Sequence, residues 1–238
     1  MPNDYFQFKQ FIIVQDKCGM KVCTDSCVFG AWMAAKIKYR FPKKILDIGT
    51  GTGLLSLIVA QKTGSPIHAI DINNDAIRQA KENFNLSPWS EQLQACCGDI
   101  KIWPVTSKYD CIISNPPFFE NDLLPQEEEK KNSKHSNSLK FNELITAVAE
   151  LLEDDGFFGV LVPYSRAEYF ETEAIKHLLF VNEQLHIRQS MEHDYFRTIL
   201  IFDKKQKPVI KSEISIRNNN NEYTPEFIGL LKDYYLYL

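Results

Sequence analysis

The sequence predicts an α/β fold, a mostly parallel sheet of seven strands with helices packed on both faces. Ile45-Leu-Asp-Ile48 is almost continuously apolar, as a strand buried on both faces of a parallel sheet requires, and it runs into Gly49, Gly51, Gly53 and a helix start near Thr52. Strand-like runs recur at 67–72, 93–97, 109–114 and 157–162, with helix-period segments between most of them. At 238 residues and 44% hydrophobic content the chain can bury one sizeable core. The division expected is a core domain over 44–208, an N-terminal extension over 1–43 packed on it, and a C-terminal strand and helix over 209–238 that complete it.

A net charge of −4 excludes a global basic field as the basis for binding nucleic acid and permits only a focal patch. No apolar run reaches the length of a membrane span, and no signal peptide precedes the six cysteines, which include no C-x-x-C pair. The chain therefore reads as cytoplasmic, monomeric and without a membrane segment, with free thiols. Cys18, Cys23 and Cys27 do not have the spacing of a zinc site and lack histidine partners nearby, so no metal is expected.

In chain order, residues 5–16 alternate aromatic and polar side chains before turning apolar, which suits a strand packed against the domain. Thr24 or Asp25 can cap a following helix whose apolar face runs Val28, Ala31, Trp32 and Ala35. Lys21 and Thr24, just ahead of the glycine strand, place polar groups where a bound ligand can meet them. A plain lid helix is the alternative. The glycines let backbone approach a ligand, and the helix after them aims its amides at the same place. A dinucleotide fingerprint has its third glycine five positions after the first; here it comes after four, and Asp47 precedes the first by two. That pattern resembles the S-adenosylmethionine turn of Rossmann-like methyltransferases. Asp71 ends the second strand 18 residues after Gly53, where a carboxylate can accept both hydroxyls of a ribose, Asn73 and Asn74 being available to cap the next helix. Asp99, closing the third strand, is placed to meet an adenine amine.

The fourth strand stops on Asn115-Pro116-Pro117-Phe118. Two prolines stiffen the backbone and remove two donors, so the turn presents carbonyl acceptors beside the Asn115 side chain. An amide-like or exocyclic nitrogen is a poor nucleophile because its lone pair is delocalised. Acceptors aimed at its two hydrogens favour the pyramidal form and stabilise the charge that grows during methyl transfer. Phe118 offers a face on which a planar substrate can stack. Residues 120–140 change composition sharply, with Glu127 to Ser138 nearly devoid of apolar side chains, and read as a mobile loop, able to close over substrate or to remain a solvated charge run. Beyond it the periodicity predicts helices over 139–152 and 167–179, strands at 157–162, 185–187, 198–202 and 209–216, and a Pro-started aromatic helix over 223–238.

Taken over nearly its full length, the chain resembles the bacterial tRNA1(Val) (adenine-37)-N6-methyltransferases. The resemblance is carried by Phe8-Lys-Gln-Phe11, Gln15-Asp16, Met20-Lys-Val22, Thr24-Asp25, Gly30-Ala-Trp32, Asp47 to Gly53, Ser87-Pro-Trp89, Asn115 to Phe118, Tyr223-Thr-Pro225 and Asp233-Tyr-Tyr-Leu236. Phe118 departs from a frequent tyrosine and Cys23 from an expected glycine. The resemblance implies S-adenosylmethionine as cofactor and the anticodon loop of a tRNA as substrate, adenine being methylated at N6. It implies Asn115, Pro116, Pro117 and Phe118 as catalytic residues. The cofactor set it implies is Lys21, Thr24, Asp47, Gly49, Thr50, Gly51, Gly53, Asp71, Ile72, Asp99, Ile100 and Asn115. A basic rim of Lys9, Lys17, Lys36, Lys38, Arg40, Lys43 and Lys44 with the 130–135 loop is expected around the mouth. Protein glutamine, DNA adenine and rRNA guanine methyltransferases share the same turn, and a catalytically silent binding module is a further alternative.

Overall fold

The computed structural model describes residues 4–17, 20–116 and 139–238. The chain opens with β1 (Tyr5–Gln7) and β2 (Ile12–Val14), an antiparallel pair, followed by α1 (Thr24–Arg40). Then come β3 (Ile45–Ile48), α2 (Leu54–Ala60), β4 (Ile67–Asp71), α3 (Asn74–Asn85), β5 (Leu93–Cys97) and β6 (Tyr109–Ser114). The last part contains α4 (Phe141–Leu151), β7 (Leu152–Pro163), α5 (Ala167–Ile175), β8 (Phe180–Ser190), β9 (Tyr195–Asp203), β10 (Ile210–Arg217) and α6 (Pro225–Leu231). The central sheet has the order β10-β8-β9-β7-β6-β3-β4-β5, with β9 alone antiparallel to its neighbours.

This is the expected α/β architecture with one strand more than the seven anticipated, because β10 joins the same sheet beside β8. From β3 the chain moves outward to β4 and β5, then returns to β6 on the other side. The crevice at the carboxyl ends of β3 and β6 is therefore a topological switch point, where open α/β sheets bind ligands. One face of the sheet is covered by α1, α2, α3, α6 and the β1–β2 hairpin, and the other by α4 and α5. All seven residues of α2 are buried.

Four local expectations are corrected. The 5–16 strand is a hairpin: Phe8 N–H donates to Phe11 O at 2.9 Å, and the Phe8 and Phe11 rings stack at 4.5 Å, so hydrophobic packing closes a turn that has no glycine, proline or asparagine to signal it. Cys23, not Thr24 or Asp25, occupies the cap position of α1, and no side chain caps it. The buried residues of α1 are Ser26 to Ala31, Met33, Ala34 and Ile37, while Trp32 and Ala35 are only partly buried, because the helix is sandwiched between the sheet and both α2 and α6. Its approach to α2 is close: a Cβ on Gly30 would lie 2.9 Å from Ile58 Cδ1. The last helix stops at Leu231 rather than running to 238, since the tail turns to pair with the hairpin, Phe8 bridging Tyr235 and Lys9 N–H donating to Tyr234 O at 2.8 Å.

Phe8 is buried in this seam against Phe6, Phe11 and Tyr235. Replacing it by alanine removes a large aromatic from a closed site and is expected to cost about 3–5 kcal/mol, read as a lower urea midpoint at unchanged slope.

Candidate active site

Three strand ends meet at the switch point. After β3 the backbone turns through Gly49, Gly51 and Gly53, at φ of +72°, +55° and +83°. All three therefore require glycine conformationally, but their surroundings separate them. A Cβ at Gly49 or Gly51 would meet nothing within 4 Å, whereas one at Gly53 would lie 2.4 Å from the Phe84 ring. Gly49 and Gly51 leave open space for a close ligand; Gly53 lets α2 and α3 pack.

Two carboxylates hold this turn. Asp47, fully buried at the end of β3, accepts from Thr50 Oγ1 at 2.7 Å and Ser56 Oγ at 2.6 Å, both on Oδ2. Its Oδ1 is buried without a hydrogen-bond partner. Burial pushes the Asp47 carboxyl up to about 6, against the two hydroxyls that favour the charged form. Asp71, at the end of β4, accepts from Gly51 N–H at 3.0 Å on Oδ2 and from Asn73 N–H at 2.9 Å on Oδ1. Each Asp71 oxygen keeps a lone pair for a further donor, which is the valence two vicinal hydroxyls need. Asn73, not Asn74, caps α3, accepting from Asp75 and Ala76 N–H.

The other expected ligand residues divide. Ile72 is exposed beside Asp71 and can cover the face of a planar ring, while Ile100 is buried with Ile48 and Ile70 in the core beneath. Asp99 accepts from Lys101 N–H at 3.0 Å and faces Lys101 Nζ at 3.6 Å, so part of its capacity is used locally. Thr50 is spent on Asp47. Thr24 is exposed and its hydroxyl meets Tyr235 on the tail, and Lys21 lies on the exposed loop before α1. Pro117, Phe118 and the loop residues 120–138, including Lys130, Lys131, Lys134 and His135, lie outside the described residues.

Asn115 follows β6 directly. Its Nδ2 donates to Ser26 Oγ at 2.8 Å, and Ser26 Oγ lies 2.9 Å from Cys23 Sγ. Burial, then Asp25, raises the Cys23 thiol, so it stays protonated and neutral beside Ser26. With Nδ2 tied, Asn115 Oδ1 has no protein donor among the described residues and is free to accept from a ligand. Ser26 is thus a candidate site residue that the sequence did not single out; its neighbours Thr24 and Asp25 drew the attention because they resemble caps. Asp25 instead accepts from Ser26 N–H at 3.0 Å and from Arg197 Nε at 2.9 Å, fixing the start of α1 to β9.

Among the described residues, the α1 and β3 part of the expected basic rim is not at this mouth. The start of α1 is at Asn115, but the helix carries Lys36, Lys38 and Arg40 along the sheet to its amino edge, roughly 24 Å for sixteen residue steps. There Arg40 pairs with Asp203 at 3.0 Å and Glu183 at 3.3 Å, Lys36 pairs with Glu183, and Lys44 Nζ donates to Ser107 at 2.6 Å. Lys17 is paired with Glu82 at 2.7 Å, and Lys9 Nζ donates to Lys232 O at 2.6 Å.

The methyltransferase small domain family model matches residues 28–172. A tRNA1(Val) (adenine(37)-N6)-methyltransferase of Bacteroides thetaiotaomicron is 35% identical over 240 residues, covering all of both chains. Proteins of the same name from Photorhabdus laumondii and Dyadobacter fermentans are 36% and 37% identical, covering 99% and 98% of this chain and 96% and 98% of their own. Among solved structures, a protein described as a predicted O-methyltransferase from Agrobacterium tumefaciens superposes with a TM-score of 0.66 at 12% identity, covering 88% of this chain and 96% of that one. An S-adenosylmethionine-dependent methyltransferase from Clostridium acetobutylicum gives 0.55 at 13% identity, covering 77% and 92%. At those identities the two structures speak to the fold alone.

The burial of Asp47 has a testable sign. Unfolded, its carboxyl titrates near 3.8; folded, near 6. Between these values the folded chain binds more protons than the unfolded one, so this group's contribution to stability falls as pH rises through the window. Above it the fold carries the full cost of a buried charge, roughly 3 kcal/mol at about 1.4 kcal/mol per unit. Asp47→Asn keeps an acceptor for Thr50 and Ser56 and removes the charge. Thermal melts of the ligand-free protein from pH 4 to 8 are expected to show the variant gaining on the wild type as pH rises from about 4 to about 6 and holding that gain above it, with the difference closing near pH 4.

Proposed function

The chain belongs to the tRNA1(Val) (adenine(37)-N6)-methyltransferase family, within the methyltransferase small domains, and we propose that it methylates the exocyclic N6 of adenine 37 in the anticodon loop of valine tRNA from S-adenosylmethionine. In this reading it works as a monomer in the cytoplasm; among the described residues no helix is long and apolar enough to cross a membrane. The observation that carries the chemistry is the Asn115 amide, whose nitrogen is committed to Ser26 and whose oxygen is left as an acceptor.

The residues fit the cofactor. Open space over Gly49 and Gly51 admits its amino-acid end against the backbone, and the unpaired, buried Asp47 Oδ1 is matched by a cationic ammonium. Asp71 accepts the ribose hydroxyls while keeping Gly51 and Asn73 in place, and Ile72 covers the adenine. S-adenosylmethionine, when bound, would supply an electrophilic methyl group, the attacking nitrogen forming its N–C bond as the C–S bond breaks, the thioether leaving and one N6 proton passing to solvent. The chain's part is to make that nitrogen nucleophilic. Asn115 Oδ1 and the Pro116 carbonyl accept the two N6 hydrogens, which localises the lone pair and stabilises the positive charge growing on nitrogen. Phe118 stacks the extruded base, as flipped bases are held elsewhere.

The test uses unmodified tRNA and labelled cofactor, with the product mapped by nuclease digestion and mass spectrometry. N6-methyladenosine at position 37 is expected; a product on glutamine of a protein fraction would move the assignment to that class. Asn115→Ala should lower kcat by on the order of 10²-fold or more with cofactor affinity nearly intact. Ser26→Ala leaves Oδ1 present but unaimed and is expected to cost about tenfold in kcat, with cofactor affinity unchanged by calorimetry.

A further inference from the structure

With Lys36, Lys38, Arg40 and Lys44 at the amino edge, an RNA strand at Asn115 must find its contacts elsewhere. The carboxyl edge beyond β6 supplies them. A short turn, Tyr164–Arg166, follows β7 and leads into α5. Tyr164 stands 5.2 Å from the Tyr195 ring and 5.2 Å from the His186 ring, and the latter two are also 5.2 Å apart. Tyr164 and Tyr169 remain 43% and 42% exposed, too much for rings serving only as core.

A bulge builds this cluster. Ile187 pairs with Arg197 but Arg188 pairs with Tyr195, so Phe196 is the extra residue of β9. Phe196 packs into the core on the α1 side, and Tyr195 joins His186, which hydrogen-bonds Thr198, and Tyr164. Bulges of this kind re-aim side chains beside functional sites.

Charge complementarity singles out Arg166. Arg188 is paired with Glu213, which also accepts from the Tyr195 hydroxyl, and Arg197 with Asp25. Arg166 has no carboxylate within ion-pair distance among the described residues, and its buried Nε has no hydrogen-bond partner. Its guanidinium lies 4.7 Å from the Tyr169 ring and 6.0 Å from that of Phe141, held but not neutralised. A planar fork with free donors suits a phosphate.

We propose that Tyr164, Arg166, Tyr169, His186 and Tyr195 form the surface that receives the single-stranded nucleotides flanking the methylated adenine, a phosphate on Arg166 and a base on the exposed face of Tyr164. The inference rests on the reading of the chain as an RNA methyltransferase. Spacing agrees with it: β7, β9 and β8 succeed β6 at about 4.8 Å per strand, which puts these rings roughly 5–15 Å to one side of Asn115, the reach of adjacent nucleotides. Stacking and phosphate contacts are how single strands are held without reading sequence.

The test uses the full chain and separates binding from chemistry. Tyr164→Ala and Tyr195→Ala should raise the KM for tRNA on the order of 5- to 100-fold, with Tyr164→Phe close to wild type. Arg166→Ala should raise it too and should lower the slope of log K against log salt by about 0.7, with Arg166→Lys restoring that slope. Cofactor affinity and thermal midpoint should hold in all, and Lys38→Ala on the far edge should change nothing. Binding of a fluorescent single-stranded RNA is read in parallel by anisotropy. Wild type that methylates tRNA, with KM, anisotropy and salt slope unaltered in the alanine variants, overturns the surface and leaves the activity standing. Wild type that binds RNA through these residues without methylating it overturns the activity and keeps the surface. Neither binding nor methylation overturns both.

Discussion

The site depends on two carboxylates that grip one turn of backbone from opposite sides. Asp47 holds it from beneath through Thr50 and Ser56, and Asp71 holds it from the neighbouring strand through Gly51 N–H. The turn has left-handed glycines and therefore a large conformational entropy to lose, so without these bonds it would not keep one shape. The grip is asymmetric in cost. Asp71 is partly solvated and its bonds are nearly free, whereas Asp47 is sealed in with one oxygen unpaired, a charge that the fold tolerates at its own expense.

Helix α1 extends the same logic to the other reactant. Its first turn meets Asn115 through Ser26 and β9 through Asp25 and Arg197, while its middle is locked by Gly30 on Ile58 and by Met33 against Gly159. The acceptor turn after β6 is thus aligned by an element that precedes the cofactor strand in sequence. What reads as an N-terminal extension is, in packing terms, part of the wall of the site.

Much of the candidate site's geometry could be read locally: Asp47, three glycines and Asp71 sit at fixed offsets from two apolar runs, and the structure brings them to one turn. Asn115 drew attention because two prolines follow it. Ser26 was not, since a serine in a helix start signals nothing until the fold brings residue 115 to it. The hairpin turn at Phe8 to Phe11 and the place of the 209–216 strand in the central sheet were missed for a similar reason: both are decided by long-range packing, the first by the C-terminal tail and the second by pairing with β8. The α1 part of the basic rim failed on geometry. Lys36, Lys38 and Arg40, close in sequence to a site-forming residue, are carried away from it by the length of one helix.

The seam between the hairpin and the tail has a consequence for how the protein is made. Residues 8 and 235 bridge, so the hydrophobic cluster around Phe8 stays uncovered until residue 235 has been synthesised. The two-stranded hairpin is too small to stand alone, and α1 also waits for α6. A sheet built outward from β3 can assemble early, but its closure is a late event of high sequence separation, which is slow and leaves aromatic surface exposed in the interval. A nascent chain stalled before Tyr223 would hold the glycine turn and lack the helix that backs α1, and so would carry the recognisable motif without the support that α1 gives to Asn115 through Ser26.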